Sequence, residues 1–173
     1  MPTPLPRKHL LIPGLIIRSS SIHAAGCYTT RPIRTNTRIV EYGGRRITKQ
    51  EADELYTDRI VTYLFGVDGT NLVIDGYGTA MYINHSCAPN CETVEHRGKI
   101  WIKAIRDIAP GEELTYEYNL YDSDEDNCDC YCGAKPCRGT MYSEEEVKRR
   151  ARKMKRQAAK KQVAKSSGKK KAA

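Results

Sequence analysis

Apolar and β-branched residues along this chain fall in short runs, not in long helical periods. LIIRS, RIVEY, YLFGV and NLVID are runs of four or five such residues bounded by Gly, Asn or Asp, which predicts strands. ETVEHRGKIWIKAI alternates on either side of Arg97-Gly98 and reads as a hairpin, with Ile100, Ile102 and Ala104 on one face and Trp101 and Lys103 on the other. One helix is expected between residues 14 and 118, over Thr48–Arg59: Thr48 and Glu51 form a capping box, and Ala52, Leu55 and Tyr56 supply an apolar face. A second capping box, Ser143 with Glu146, opens SEEEVKRRARKMKRQAAKKQ, whose acidic first turn and basic remainder suit the helix dipole. Beyond Gln162 the Lys, Ala, Ser and Gly composition predicts disorder. Residues 1–13, with four prolines, read as a loose arm, and no internal repeat is visible. The fold class expected is mainly β: several small sheets with few short helices.

Charge and cysteine content change this picture in two places. The chain has 173 residues, which suits one domain with a single core. Residues 147–173 hold 13 Lys/Arg and no Asp/Glu, so the formal +8 belongs to the tail and the remaining residues are net −5. A high isoelectric point is therefore no argument that the folded part binds nucleic acid. Seven cysteines are present and four crowd between Cys128 and Cys137; C-x-C-x4-C spacing suits thiolate metal ligation better than a dispersed disulfide framework. Near the N-terminus, RKHLLIPGLIIRSSSIHAAGC imitates an export signal, but Pro13-Gly14 and Arg18 interrupt the apolar run, so Leu15–Ile17 is expected to be a buried strand. No stretch has the length of a membrane span, which favours an intracellular protein with no membrane partner.

YINHSCAPNC, residues 82–91, gathers Asn, His, Ser and Cys at one point, and CDCYCGAKPC follows some forty residues later. Together with GEELTYEY, EYGGRRITKQEAD and YLFGVDGTNLVID, in this order, these motifs resemble the SET-domain protein lysine methyltransferases with a post-SET zinc loop, from about Gly14 to Met141. The resemblance implies a β-clip-like SET fold of small sheets, in which the Asn-His segment is threaded as a pseudoknot beneath a loop near the C-terminus. The implied organisation is an arm over 1–13, a SET domain over 14–121, a zinc loop over 128–142 and a basic helical or disordered tail over 143–173.

The resemblance further implies S-adenosylmethionine as methyl donor and a structural Zn²⁺. Cofactor contacts would come from Ala24, Ala25, Gly26, Tyr63, Asn84, His85, Tyr118 and Met141, with Met141 or Tyr142 packing on adenine. Asn84 would offer its side-chain carbonyl to the cofactor's amino group and His85 its backbone N–H and C=O to adenine. Tyr118 matches the catalytic tyrosine, Tyr42 would line the lysine channel, and Tyr116 would favour mono- or dimethylation by restricting room. Zinc would be held by Cys87, Cys130, Cys132 and Cys137, with Cys128 as the competing ligand and Cys27 and Cys91 unassigned. The chain departs from the family where Ala24-Ala25-Gly26 replaces Gly-x-Gly, where Met81 stands in place of Arg, and where DGYGT lacks Gly-Asn. An alanine at a position needing φ > 0 would weaken cofactor binding.

The implied substrate is a basic protein: histone or histone-like, ribosomal-type, or the chain's own tail. The acidic DSDED segment would favour such a peptide, and residues 147–173 could hold nucleic acid. The rival reading is a catalytically weak SET-like binding module anchored to nucleic acid by that tail. Localisation would be cytoplasm or nucleoid in a bacterium and nucleus or chromosome in a eukaryote; a compact domain without accessory modules favours a bacterial or viral source.

Overall fold

The structure is a computed structural model that describes residues 12–57, 63–67, 69–120 and 128–169, with side chains described to residue 160. Most of the predicted arm, the last residues of the predicted first helix, and the DSDED segment lie outside these residues. Among the described residues, three sheets are built from ten strands. The first pairs β1 (Leu15–Ser19) with β2 (Ala25–Thr29) antiparallel. The second pairs β4 (Gly44–Thr48), β6 (Leu72–Gly76) and β5 (Leu64–Gly66) in that order. The third, five-stranded, also takes β3 (Arg38–Glu41), β7 (Asn84–His85), β8 (Cys91–His96), β9 (Lys99–Ala104) and β10 (Thr115–Tyr116), in the order β3-β9-β8-β10-β7. The mainly β expectation is met.

β8 and β9 form the predicted hairpin, in register from Cys91 opposite Ala104 to His96 opposite Lys99. Arg97 (φ 52°) and Gly98 (φ 70°) make its two-residue turn in the left-handed region that such hairpins need. Its burial alternates as read: Ile100, Ile102 and Ala104 are buried and Lys99 is exposed. These residues join Val40, Ile83, Cys91, Ile108 and Leu114 in the main core. Cys27 and Cys91 are fully buried there, and burial pushes both thiols up to about 12, so they behave as small apolar groups.

Two elements differ from expectation. The first helix, α1 (Lys49–Tyr56), is capped as read, with the Glu51 N–H donating to Thr48 Oγ1 at 3.1 Å, but Ala52 is its one buried residue and Leu55 is 47% exposed. Tyr56 reaches instead to the Asp75 carboxylate. In β1, Leu15 is buried but Ile16 is 43% exposed, because a two-stranded ribbon covers a single face. The second helix, α2 (Glu144–Lys169), starts at the predicted cap, the Glu146 N–H donating to Ser143 Oγ at 3.2 Å, and runs past Gln162 instead of stopping there. Its Lys- and Ala-rich sequence carries good intrinsic helix formers.

The insertion of β10 organises the rest. β7 and β8 are joined by residues 86–90, yet Thr115–Tyr116 lies between them, parallel to both: Thr115 opposite Asn84, Tyr116 opposite His85 and Cys91. The connection 86–90 therefore bridges over an inserted strand, an arrangement that ordinary folds avoid. Asn90, buried, holds the insert in place: its Oδ1 accepts from the Thr115 N–H at 2.9 Å and its Nδ2 donates to Glu113 O at 2.7 Å. Leu114, fully buried beside this insert, anchors it to the core. Leu114→Ala should lower unfolding free energy by about 2–5 kcal/mol. Ile105→Ala, at a position 42% exposed, should cost far less, as chemical denaturation would measure.

Candidate active site and metal centre

A cleft of about 380 Å³ opens where β7, the segment before β2 and the cysteine loop meet. Of the residues expected to hold cofactor, Ala24, Ala25, Tyr63, Asn84, His85, Tyr118 and Met141 line it. Gly26 does not; a Cβ there would strike the Glu113 carboxylate, so this glycine lets β2 pass close to Glu113. Tyr142 is buried away from the cleft beneath Arg150, whose guanidinium lies 4.0 Å from the ring centre, so the adenine-packing alternative narrows to Met141. Ile22, His23, Tyr82, Asp129 and Tyr131 also line the cleft and were not anticipated; Met81, noted as a departure, lines it too. Their short local sequence carries no pattern that would have marked them.

The β7–β10 register decides what the Asn-His strand offers. The Ser86 N–H donates to Tyr116 O at 3.2 Å, so Tyr116 bonds the residues either side of His85 and the His85 N–H and C=O face away from β10. The Asn84 Nδ2 is committed to the protein: it donates to Glu113 Oε1 at 2.7 Å, Ala25 O at 3.0 Å and Ser20 Oγ at 3.3 Å. Its Oδ1 accepts from none of the described residues and is the oxygen left for a ligand.

The His85 ring is fixed by two neighbours. The Tyr118 N–H donates to Nδ1 at 3.2 Å, which leaves the proton of the neutral ring on Nε2, 3.4 Å from Cys87 Sγ. Burial holds this ring below the usual histidine range, against the pull of Glu117 and with the push of Arg138. The 3.4 Å approach of Nδ1 to Glu117 Oε1 is thus no ion pair; that oxygen is bound to Arg138 Nη2 at 2.8 Å.

Behind the cleft lies a cluster of phenols. Tyr116 and Tyr118 have ring centres 4.8 Å apart, and Tyr42 packs on Phe65 at 5.1 Å. Tyr118 donates its hydroxyl to Ile83 O at 3.0 Å and Tyr42 donates to Tyr63 O at 3.0 Å, while the Tyr116 and Tyr42 hydroxyls lie close enough to influence one another. Burial first, then the neighbouring phenols, push all three above the usual tyrosine range, so they stay protonated. A Cβ at Gly76 would collide with the Tyr42 ring and Tyr63 O, which is why glycine stands there.

Cys87, Cys130, Cys132 and Cys137 bring their sulfurs within 4.8 Å of one another. A tetrahedral site with metal–sulfur bonds of about 2.3 Å sets sulfur–sulfur separations near ~3.8 Å, and Cys87 and Cys130 Sγ lie 3.8 Å apart. Burial raises the Cys132 thiol, but the Cys87 and Ala134 N–H groups, with the Cys130 and Cys137 thiols, bring it down to about 6. Cys128 is buried outside this group, where its carbonyl accepts from the Met141 N–H at 2.8 Å; it pins the loop through its backbone. The four thiols fit a closed structural metal site. Chelation should lower the melting temperature and expose the four thiols to a thiol reagent, with Cys27 and Cys91 remaining protected; thermal melting with thiol counting checks this.

The SET domain family profile matches residues 24–119. Proteins named histone-lysine N-methyltransferase, H3 lysine-4 specific, are similar: that of Candida albicans is 40% identical over 136 residues and that of Saccharomyces cerevisiae 42% over 137, each match covering 70% of this chain. The Schizosaccharomyces pombe protein of the same name is 39% identical over 134 residues. This chain spans about an eighth of the length of these relatives, 13%, 12% and 14% respectively. All three are fungal, which lends no support to the expected bacterial or viral source. The match encloses the Asn84–His85 strand, the inserted Thr115–Tyr116 strand and the tyrosines behind the cleft, and the chain belongs to the SET-domain family.

Proposed function

We propose that this chain is a protein-lysine N-methyltransferase that uses S-adenosylmethionine to methylate the ε-amine of lysine in a basic, histone-like protein, with mono- and dimethylation favoured. Ribosomal-type proteins and the chain's own tail fall in the same substrate class. The observation that carries this reading is the convergence of Asn84, His85, Tyr118 and Met141 on one cleft backed by Tyr42 and Tyr116. The relatives' names, specific for histone H3 lysine 4, support a histone-like substrate. We divide the chain into a SET domain over 14–121, a zinc loop over 128–142 and a tail over 143–173. Such a protein would act in the nucleus or on the chromosome of a eukaryote, or in the cytoplasm or nucleoid of a bacterium.

A cleft of this size suits a cofactor, and its free polar groups suit this one: the Asn84 Oδ1 for an ammonium, and the His85 backbone edge for an adenine. Bound S-adenosylmethionine supplies an electrophilic methyl group on a sulfonium sulfur. Zn²⁺ on the four cysteines would hold Met141 and Tyr131 over the cleft without touching the reaction. The protein's own part is positional. A lysine amine, ordinarily protonated with a pKa near ~10.4, loses its proton more readily in a channel walled by Tyr42, Tyr116 and Tyr118, because desolvation disfavours the ammonium. Tyr118, held by its bond to Ile83 O, keeps its oxygen lone pairs available to the amine and orients it for in-line attack. No phenol here serves as general base, since burial keeps each one protonated.

Ala24 bears on how tightly cofactor binds. Its φ of +20° is at the margin of the left-handed region, so alanine at this edge of the cleft stores strain that glycine would not. The strain falls on the segment that carries Ala25 O to Asn84.

A second reading concerns the tail. Residues 151–160 of α2 have exposed side chains throughout, and from Arg152 onward the chain has no acidic residue to neutralise its lysines and arginines. This helix is suited to the phosphate backbone of nucleic acid, either beside catalysis or, in a weak binding module, instead of it.

Purified chain incubated with S-adenosylmethionine and a panel of histone-derived and ribosomal peptides should yield mono- and dimethyl-lysine by mass spectrometry. Tyr116→Phe should shift the products toward trimethyl-lysine, because it removes a buried hydroxyl that restricts the room beside the amine; an unchanged ratio would refute the product assignment. Replacing Lys153, Lys155, Arg156 and Lys160 together with Gln should weaken duplex binding and flatten its salt dependence by roughly one unit of log–log slope for each phosphate no longer neutralised. Binding without any methyl transfer would favour the module over the enzyme.

A further inference from the structure

Glu113 is a carboxylate with no part in the methyl transfer described for the tyrosines, and it is the junction of the cofactor cradle. It accepts from Ser20 Oγ at 2.8 and 2.9 Å, from the Tyr28 hydroxyl at 2.8 Å and from Asn84 Nδ2 at 2.7 Å. No salt bridge to it occurs among the described residues; the Arg18 guanidinium lies 3.8 Å over the ring of its partner Tyr28 and donates to Gly111 O. The site is shaped around this group, since a Cβ at Gly26 would meet its oxygen. Its negative charge is felt at the reaction side, where it contributes to raising Tyr118.

Resting on the methyltransferase reading, we propose that Glu113 is a positioning residue whose charge sets recognition of the ammonium group of the cofactor's amino-acid head through Asn84. A carboxamide can present either its oxygen or its nitrogen to a ligand. With Nδ2 tied to an anion, to Ala25 O and to Ser20 Oγ, Asn84 turns Oδ1 to the cleft, and the anion behind it increases the negative charge on that oxygen. The uncompensated charge finds its counterion when the ammonium of the ligand arrives. Ser20 extends the same junction to the opposite wall, its Oγ accepting from the Ile22 N–H at 3.0 Å just before Ala24.

The test compares wild type, Glu113→Gln and Glu113→Asp with S-adenosylmethionine and two neutral thioethers: S-adenosylhomocysteine, which keeps the amino-acid head, and 5′-methylthioadenosine, which lacks it. Glu113→Gln should raise both Kd and KM for S-adenosylmethionine by roughly tenfold or more, the size expected for losing a charge-assisted partner. It should leave kcat within about twofold, because the interaction is equal in ground and transition states. Affinity for S-adenosylhomocysteine should fall in step with that for S-adenosylmethionine, affinity for 5′-methylthioadenosine should not change, and Glu113→Asp should lose less than Glu113→Gln. Parallel weakening of 5′-methylthioadenosine would mean that Glu113 only shapes the cleft, weakening of S-adenosylmethionine alone would mean that its charge acts on the sulfonium, and unchanged S-adenosylmethionine affinity would mean that its charge is irrelevant; each of these results overturns the proposal. Failure of both variants to fold, seen as loss of the thermal transition, would make Glu113 structural and overturn it as well. A wild-type chain that binds no S-adenosylmethionine would overturn the methyltransferase reading instead.

Discussion

A two-residue strand held from both sides governs this molecule. Thr115–Tyr116 lies between Asn84–His85 and Cys91, and Asn90 clamps it by accepting from the Thr115 N–H and donating to Glu113 O. So short a strand has almost no intrinsic stability. Burial of Leu114 beside it and the two side-chain bonds from Asn90 supply what backbone pairing alone cannot. The insert fixes the phenol of Tyr116, the backbone N–H of Tyr118 that sets the His85 ring, and the carboxylate of Glu113 that sets the Asn84 amide. The neighbouring Asn84 and His85 side chains, some thirty residues away in sequence, are thereby oriented by one backbone segment.

The metal loop is coupled to this insert through few contacts. Cys87 lies two residues after His85, and His85 Nε2 lies 3.4 Å from its sulfur. From the other side, Arg138 donates its N–H to Cys87 Sγ at 3.5 Å and its guanidinium to Glu117 at 2.8 Å, on the segment between Tyr116 and Tyr118. A sulfur that bears charge suits both donors, so the cysteine group and the tyrosine segment favour the same arrangement. Met141 then lies over the cleft because the backbone of Cys128 ties it down, which explains how a cysteine outside the group of four still belongs to the lid.

What could be read from the sequence was whatever is written locally. The hairpin about Arg97-Gly98 and both helix caps follow from adjacent residues, and the structure has them. The cysteine group was legible because three of its four members share one loop, and the resemblance supplied Cys87. Strands β2, β4, β7 and β10 were not legible as strands: AGCYT and GRRIT lack the apolar alternation that marks a half-buried strand, and two-residue strands exist only through distant partners. The face of α1 departs from its pattern at Leu55 because burial depends on what packs opposite, which periodicity does not record. Glu113 lies within GEELTYEY but carries no local signal, since its partners Ser20, Tyr28 and Asn84 are scattered along the chain.

Charge is distributed in a way that joins these parts. The phenols are kept neutral by burial, His85 is kept neutral by burial, and the described residues immediately around the cleft place one carboxylate behind Asn84 without a cation. A site so arranged is deficient in positive charge and can accept a cationic ligand without adding repulsion. The same deficiency would hold a second cation, a protonated lysine, as firmly as the first if both could occupy it charged. It cannot do so when the first cation is present, because two like charges in a low-dielectric cleft repel strongly. Under the proposed function, occupation by one cation would select the uncharged form of the next amine, and proton loss would be a consequence of the order of binding instead of the task of a dedicated base.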